Sequence, residues 1–276
     1  MKKRKTSKDN TAVLVGIAGS NSAYSLSLYN LKAFAYSNPE IRQAWDIVVI
    51  QSPLIGDINA EPKIDGLFES ISAANPDLVG LSCYMWNMDI FRSLANRIAE
   101  HKPDIQIVIG GPEITRDYIL DSKYDSFSAH KCVLGEGEQT FREILSNAIS
   151  QKPSLSDIPG LAYRRRLTDS FLINQGRRPL KSLLDIPSPY QNGVVDDEVL
   201  NRKDIEANVE TQRGCNLSCS YCIYHKEMDK ISYSNTDRVV GEVRYIINKG
   251  VRKIRFVDAN FSSDLGHAKE IMRALI

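Results

Sequence analysis

Three of the chain's five cysteines stand together in Cys215-Asn-Leu-Ser-Cys219-Ser-Tyr-Cys222, a Cx3CxxC spacing, while Cys83 and Cys132 lie far away in the sequence. Thiolates are soft ligands, and three on one short loop can turn inward onto a single metal centre. Two centres suit such a set. Structural zinc takes four ligands, so it would need a fourth, for which His225 is nearest. A 4Fe-4S cluster has four irons, so three cysteines would leave one iron open to a substrate or cofactor. The odd cysteine count and this clustering read as metal binding and not as a disulfide frame. Cys83 and Cys132 are expected to pack as small buried hydrophobes.

Such a loop needs a strand to launch it. Ala207-Asn-Val-Glu-Thr211 reads as that strand, followed by a helix over 239–248, a strand Lys253-Ile-Arg-Phe-Val257 and a helix from Gly266 to Ile276. Upstream, short Val- and Ile-rich runs alternate with segments of helical period, the signature of βα units and a parallel sheet. Strands are expected at 12–18, 45–51, 78–84, 105–109 and 131–134, with helices at 23–36, 64–74, 88–101 and 139–148. The fold class is therefore α/β. It comprises a basic tail over 1–10, a doubly wound, Rossmann-like five-stranded parallel sheet over 11–150, and a linker over 151–206. The first two βα units of a partial (β/α) barrel follow over 207–276. In the linker, Gly160 to Tyr163 and Phe171 to Asn174 pair as a small hairpin. The arginines at 164–166, with Arg177 and Arg178, either face solvent or grip a phosphate.

Ligands of doubly wound sheets sit outside the carboxyl ends of the strands. Those ends carry Gly19-Ser20-Asn21, Gln51-Ser-Pro53, Ser82-Cys-Tyr84-Met-Trp86, Gly110-Gly111-Pro-Glu113 and Gly135-Glu136-Gly137-Glu138. Their glycines serve either tight βα turns or close approach of backbone to a ligand. Lys and Arg number 35 against 34 Asp and Glu, a net charge of +1, which excludes a globally polycationic nucleic-acid binder. With 42% hydrophobic residues the chain can bury a core. It has no apolar run long enough to span a bilayer and no apolar signal segment at its start, so a soluble cytoplasmic protein without a membrane partner is expected.

The run Arg213-Gly-Cys-Asn-Leu-Ser-Cys-Ser-Tyr-Cys222 resembles the motif of the radical S-adenosylmethionine (radical SAM) superfamily. Val79 to Trp86, Ile109 to Glu113 and Leu134 to Phe141 resemble strand-end segments of the cobalamin-binding domain that precedes the barrel in one large branch. The resemblance implies that Cys215, Cys219 and Cys222 hold a 4Fe-4S cluster. The cluster's open iron would bind S-adenosylmethionine and cleave it to a 5′-deoxyadenosyl radical. Tyr221 is implied near the adenine. For Asp258 and Asn260 a polar contact to S-adenosylmethionine stands beside a plain cap or loop hydrogen bond. Cobalamin is implied over the strand ends, with Ser20, Ser82, Tyr84, Gly110, Gly111, Glu113, Gly135, Glu136 and Gly137 as its site. Many cobalamin domains supply a lower-axial histidine from an Asp-x-His-x-x-Gly loop, but here that loop reads Ser20-Asn-Ser-Ala-Tyr-Ser25 and no histidine ligand is expected from it.

The resemblance implies methylation or rearrangement of a small-molecule or peptide substrate, with an electron donor such as flavodoxin or ferredoxin. Nucleic acid is not an expected partner. Two alternatives stand beside this. An RNA methylthiotransferase-like radical SAM enzyme shares the cluster loop, but that family brings three further cysteines in its first domain. A non-catalytic cobalamin- or cluster-binding fragment is the other, because radical SAM barrels usually hold about six βα units and residues 207–276 hold two. Little or no cleavage of S-adenosylmethionine is expected from this chain alone.

Overall fold

A computed structural model describes residues 8–19, 22–53, 60–121, 127–222 and 231–276. Strand β1 (Asn10–Ala18) is an inner strand of the first sheet, hydrogen-bonded to β2 (Trp45–Pro53) on one side and β3 (Leu78–Ser82) on the other. Strands β4 (Gln106–Gly110) and β5 (Lys131–Val133) follow in order, all parallel. Residues 12–18 of β1 are buried without alternation, as befits a strand covered on both faces. Helices α1 (Leu26–Tyr36) and α2 (Pro39–Ala44) cover one face, and α3 (Ala60–Ala74) and α4 (Met88–His101) the other. On α4 the residues Phe91, Leu94, Ala95 and Ile98 form the buried stripe, at the spacing of one helix face. Beyond the short α5 (Arg116–Leu120), helix α6 (Gly137–Ser150) packs beside α1 through Phe141 and Leu145.

The five expected parallel strands are present, but the sheet has seven. Strands β6 (Leu161–Tyr163) and β7 (Leu172–Ile173) form the hairpin expected in the linker, and β6 pairs antiparallel with β5. The sheet order is therefore β2-β1-β3-β4-β5-β6-β7. Arg164, expected at the surface or on a phosphate, is buried. Its guanidinium donates to the carbonyls of Ala129 (2.7 Å) and Phe127 (2.8 Å) and lies over the Phe171 ring. Arg177 likewise turns inward, onto Thr140 (2.8 Å) and Glu143. These bonds fix the hairpin to the sheet edge.

Past a short helix α7 (Asp197–Leu200), strand β8 (Glu206–Val209) begins a second, smaller sheet. The chain continues through β9 (Gln212–Arg213) and β10 (Ser232–Tyr233), helix α8 (Thr236–Asn248), strand β11 (Lys253–Phe256) and helix α9 (Leu265–Leu275). Strand β11 pairs parallel with β8, as two consecutive βα units require. These units share a core with the first domain: Tyr24, Leu26 and Tyr29 pack with Tyr190, Val199, Val209, Val243 and Ile271. The Tyr24 and Tyr190 hydroxyls bond each other, and Asn208 Nδ2 donates to the Tyr24 carbonyl (2.8 Å). Among the described residues no helix is long and apolar enough to cross a membrane.

Gly111 has φ +110°, and a Cβ there would stand 2.5 Å from the Cys83 carbonyl oxygen. Gly111→Ala is therefore expected to cost about 1–3 kcal/mol or more in urea unfolding. His130, just before β5, accepts the Ile107 N–H at Nδ1 (3.1 Å), and burial pushes its pKa down to about 4. The unfolded chain takes up that proton near pH 6.5 and the folded one does not, so stability falls as pH drops between those values. From pH 7 to pH 5 the loss is expected to be about 1–2 kcal/mol, and His130→Asn should flatten that part of the curve.

Candidate functional site

The cysteine loop leaves the carboxyl end of β8 and returns at β10. Its base is the antiparallel pair β9–β10, in which Arg213 faces Ser232 and Gln212 faces Tyr233. Gly214, with φ +105°, turns the chain out of β9 into Cys215. Within the loop the Cys222 N–H donates to the Cys219 carbonyl (3.0 Å) and the Leu217 N–H to Cys215 Sγ (3.4 Å). All three thiols are free and partly exposed. Cys83 and Cys132, by contrast, are buried in the sheet core, where burial pushes their thiols well above the usual range, as expected of small hydrophobes. Tyr221 is 90% exposed beside the third cysteine.

Among the described residues no three of His, Cys, Asp and Glu are grouped closely enough to hold a metal ion, so the thiols share a loop without converging. Their chemistry nonetheless fits an iron–sulfur cluster: three free, accessible, soft donors on one loop, outside the hydrophobic core. Residues 223–230, His225 with them, lie outside the described residues.

Asp258, just past β11, reaches across to the end of β8. Its carboxylate accepts the N–H (2.7 Å) and hydroxyl (2.6 Å) of Thr211 and the N–H of Gln212 (2.9 Å). Thr211 and Gln212 are fully buried, and burial raises the Asp258 pKa despite these bonds. Asp258 therefore makes loop hydrogen bonds and is not the cap of α9, which is Asp264. Asn260 donates to Asn216 Oδ1 (3.0 Å), inside the cysteine loop, and its carbonyl accepts from Gln212 Nε2. Asp258 and Asn260 thus tie the second βα unit to the two sides of the loop.

Arg213 is the other anchor. Its Nε and Nη2 donate to the two oxygens of Glu210 (2.9 Å each), Nη1 donates to Glu136 (3.0 Å) and Nη2 to Glu138 (2.9 Å). Against the cost of burial, the carboxylates of Glu138, Glu210 and Glu136 hold the guanidinium charged, well above its ordinary pKa. Burial raises Glu136, and Arg213 opposes that shift. Glu136, expected at the cofactor, stands on the rim with its carboxylate bonded to Arg213 and the Leu180 N–H. Gly135 supplies a turn at φ +73°, and a Cβ on Gly137 would press on Leu31 at 3.2 Å.

The remaining expected residues do line the carboxyl ends of β3 to β5, except that Ser20 lies outside the described residues. Ser82, Tyr84 and Glu113 are partly exposed, and the Glu113 and Gly111 turns pack on the Cys83 backbone. Asn87 and Trp86 organise this rim. Buried Asn87 accepts the Tyr84 N–H (2.8 Å) and donates to the Ser82 carbonyl (3.0 Å). The Trp86 ring stacks on Tyr84 (4.6 Å) and donates to the Ile17 carbonyl (3.2 Å), bridging β3 to β1 where the strand order reverses. The Trp86 bond to Ile17 is not readable from sequence, because its partner lies 69 positions away; the partners of Asn87, and Arg213 for Glu210, are near in sequence, but nothing in the residue types alone selects these pairings.

Residues 41–145 match the B12 binding domain family. The cobalamin-dependent radical SAM methyltransferase TokK of Streptomyces tokunonensis is 30% identical over 239 residues, covering 84% of this chain and 33% of that protein. The 2-(S-pantetheinyl)-carbapenam-3-carboxylate methyltransferase of Streptantibioticus cattleyicolor is 30% identical over 255 residues, covering 89% and 35%. A tRNA-2-methylthio-N(6)-dimethylallyladenosine synthase of Clostridium novyi is 21% identical over 239 residues, covering 84% and 40%. The chain spans about a third of the length of the first two relatives. The cobalamin-dependent S-adenosylmethionine radical enzyme OxsB, solved with aqua-cobalamin and S-adenosylmethionine bound, superposes with a TM-score of 0.67 at 17% identity. The match covers 96% of this chain and 36% of that one, and it shows a shared fold.

Asp258→Ala strands two buried backbone N–H groups and a hydroxyl at the base of the cysteine loop. The expected loss is about 2–4 kcal/mol in urea unfolding, with Asp258→Asn costing less.

Proposed function

We infer that this chain, a cobalamin-binding radical SAM protein by its B12 binding domain and its homology to cobalamin-dependent radical SAM methyltransferases, serves methyl transfer to a small-molecule substrate. The observation that carries this is one loop with three accessible thiols, bonded at its base to the carboxyl-end rim of the B12 binding domain. Cys215, Cys219 and Cys222 would hold a 4Fe-4S cluster and leave one iron for S-adenosylmethionine. When bound, these groups supply one-electron cleavage of S-adenosylmethionine, and the corrinoid supplies a transferable methyl group.

The protein's own residues position and shield. Asp258 and Asn260 hold the loop's base, and the exposed Tyr221 would lie against a bound adenine. Ser82, Tyr84, Gly110, Gly111, Glu113, Gly135 and Gly137 would receive the corrinoid, with Trp86 fixed among them. The loop after β1 offers no histidine in its described part, so corrinoid binding without that ligand is proposed. An electron donor of the flavodoxin or ferredoxin type and a cytoplasmic setting belong to the same reading. Against RNA methylthiolation, the first domain has only Cys83 and Cys132, both buried in its core.

Anaerobic reconstitution with iron and sulfide is expected to give a brown protein with about four irons per chain. Replacing Cys215, Cys219 or Cys222 by Ala should abolish that uptake, while Cys83→Ala should not. Hydroxocobalamin should remain bound through desalting, seen as its visible absorption band. Zinc without iron, or no retained corrinoid, contradicts the reading.

A further inference from the structure

We propose that Arg213 is a positioning residue that couples occupancy of the cysteine loop to occupancy of the B12-domain rim. The proposal rests on the cluster and corrinoid binding proposed above and goes beyond it. Four links close a ring around the loop's base. Arg213 Nη1 donates to one oxygen of Glu136 (3.0 Å). The other oxygen accepts the Leu180 N–H. The Leu180 carbonyl accepts the Ser232 hydroxyl (3.2 Å), and Ser232 lies directly opposite Arg213 in the β9–β10 ladder. The rim loop, the segment ahead of α7 and both strands at the base of the cysteine loop therefore belong to one closed circuit.

The circuit is stiff at each end. Glu136 and Glu138 sit in a rim loop fixed by the positive φ of Gly135 and by the close approach of Gly137 to Leu31 on α1. Arg213 stands two residues before Cys215 and is held by Glu210 through two parallel bonds. Displacing the loop base from the rim would strand buried carboxylates without their counter-charge, which is costly. The two elements therefore move together or not at all. Drawing the three thiols onto a cluster sets the position of the loop base and, through Arg213, that of the rim relative to it, so a corrinoid binding second meets a rim already in place. Coupling of this kind is reciprocal. A lysine would keep the charge but cannot bond Glu136, Glu138 and both oxygens of Glu210 at once.

The test compares hydroxocobalamin affinity, read by its absorption change, in apo chain and in chain reconstituted with iron and sulfide. Wild type, Arg213→Lys, Glu138→Gln and a remote control, Arg97→Gln, are measured. Arg97 pairs with Asp65 between α3 and α4, away from the ring. Cluster loading is expected to tighten corrinoid binding about fivefold or more in wild type and Arg97→Gln. In Arg213→Lys and Glu138→Gln the ratio should fall toward one while about four irons are still taken up. If Arg213→Lys fails to fold, the isosteric Glu138→Gln decides. A ratio of one in wild type, with both groups bound, overturns the coupling alone, as does an unchanged ratio in Glu138→Gln. A wild type that takes up no iron–sulfur or no corrinoid overturns the parent reading and the coupling together.

Discussion

Arg213 brings one positive charge to three carboxylates, Glu136, Glu138 and Glu210, at a place where all four side chains are largely withdrawn from water. A buried charge without partners costs several kcal/mol, so the cluster holds only while all its members stay in place. Two of the carboxylates belong to the rim of the first sheet and one ends the first strand of the second. The guanidinium itself opens the cysteine loop. The junction between the halves is thus set by electrostatics and a planar fork of donors at the loop, and by apolar packing behind it, where Tyr24 and Tyr29 of α1 enter the core of the second sheet.

That junction decides which ends of the two sheets meet. In a doubly wound sheet the carboxyl ends form the ligand rim, and in βα-barrel units the carboxyl ends carry the reactive loops. Here the rim loop after β5 and the loop after β8 are bonded directly. The residues that make this contact are acidic and basic, while those expected to touch a corrinoid, at the ends of β3 and β4, are left beside it. Asp258 and Asn260 brace the loop from the other side. The loop is therefore held at its base from two sides, while its thiols stay accessible.

Much of this was legible in the sequence. The five parallel strands follow from Val- and Ile-rich runs such as 12–17 and 105–109, and the two βα units after residue 206 from the same alternation. The hairpin over 161–173 was legible too, but its place in the sheet was not, since pairing with β5 is a tertiary choice. Helix α2 was missed because Pro39 and its cap Asn38, which accepts the Glu40 and Ile41 N–H groups, look like a turn until the helix behind them is seen. The three cysteines were legible by spacing alone. Glu136 was read as a cofactor residue because it stands on the rim, and nothing local shows that its charge is answered by an arginine 77 positions later. Asp258 was open to two roles, and only the approach of β8 to β11 shows which bonds its carboxylate makes.

The central claim is that the rim and the cysteine loop make one site. It is tested most directly by electron paramagnetic resonance on chain carrying both cob(II)alamin and a reduced cluster, two unpaired spins in one molecule. The account predicts a spectrum broadened or split by interaction between the spins, lost when either group is omitted. A spectrum equal to the sum of the two singly loaded proteins would contradict it.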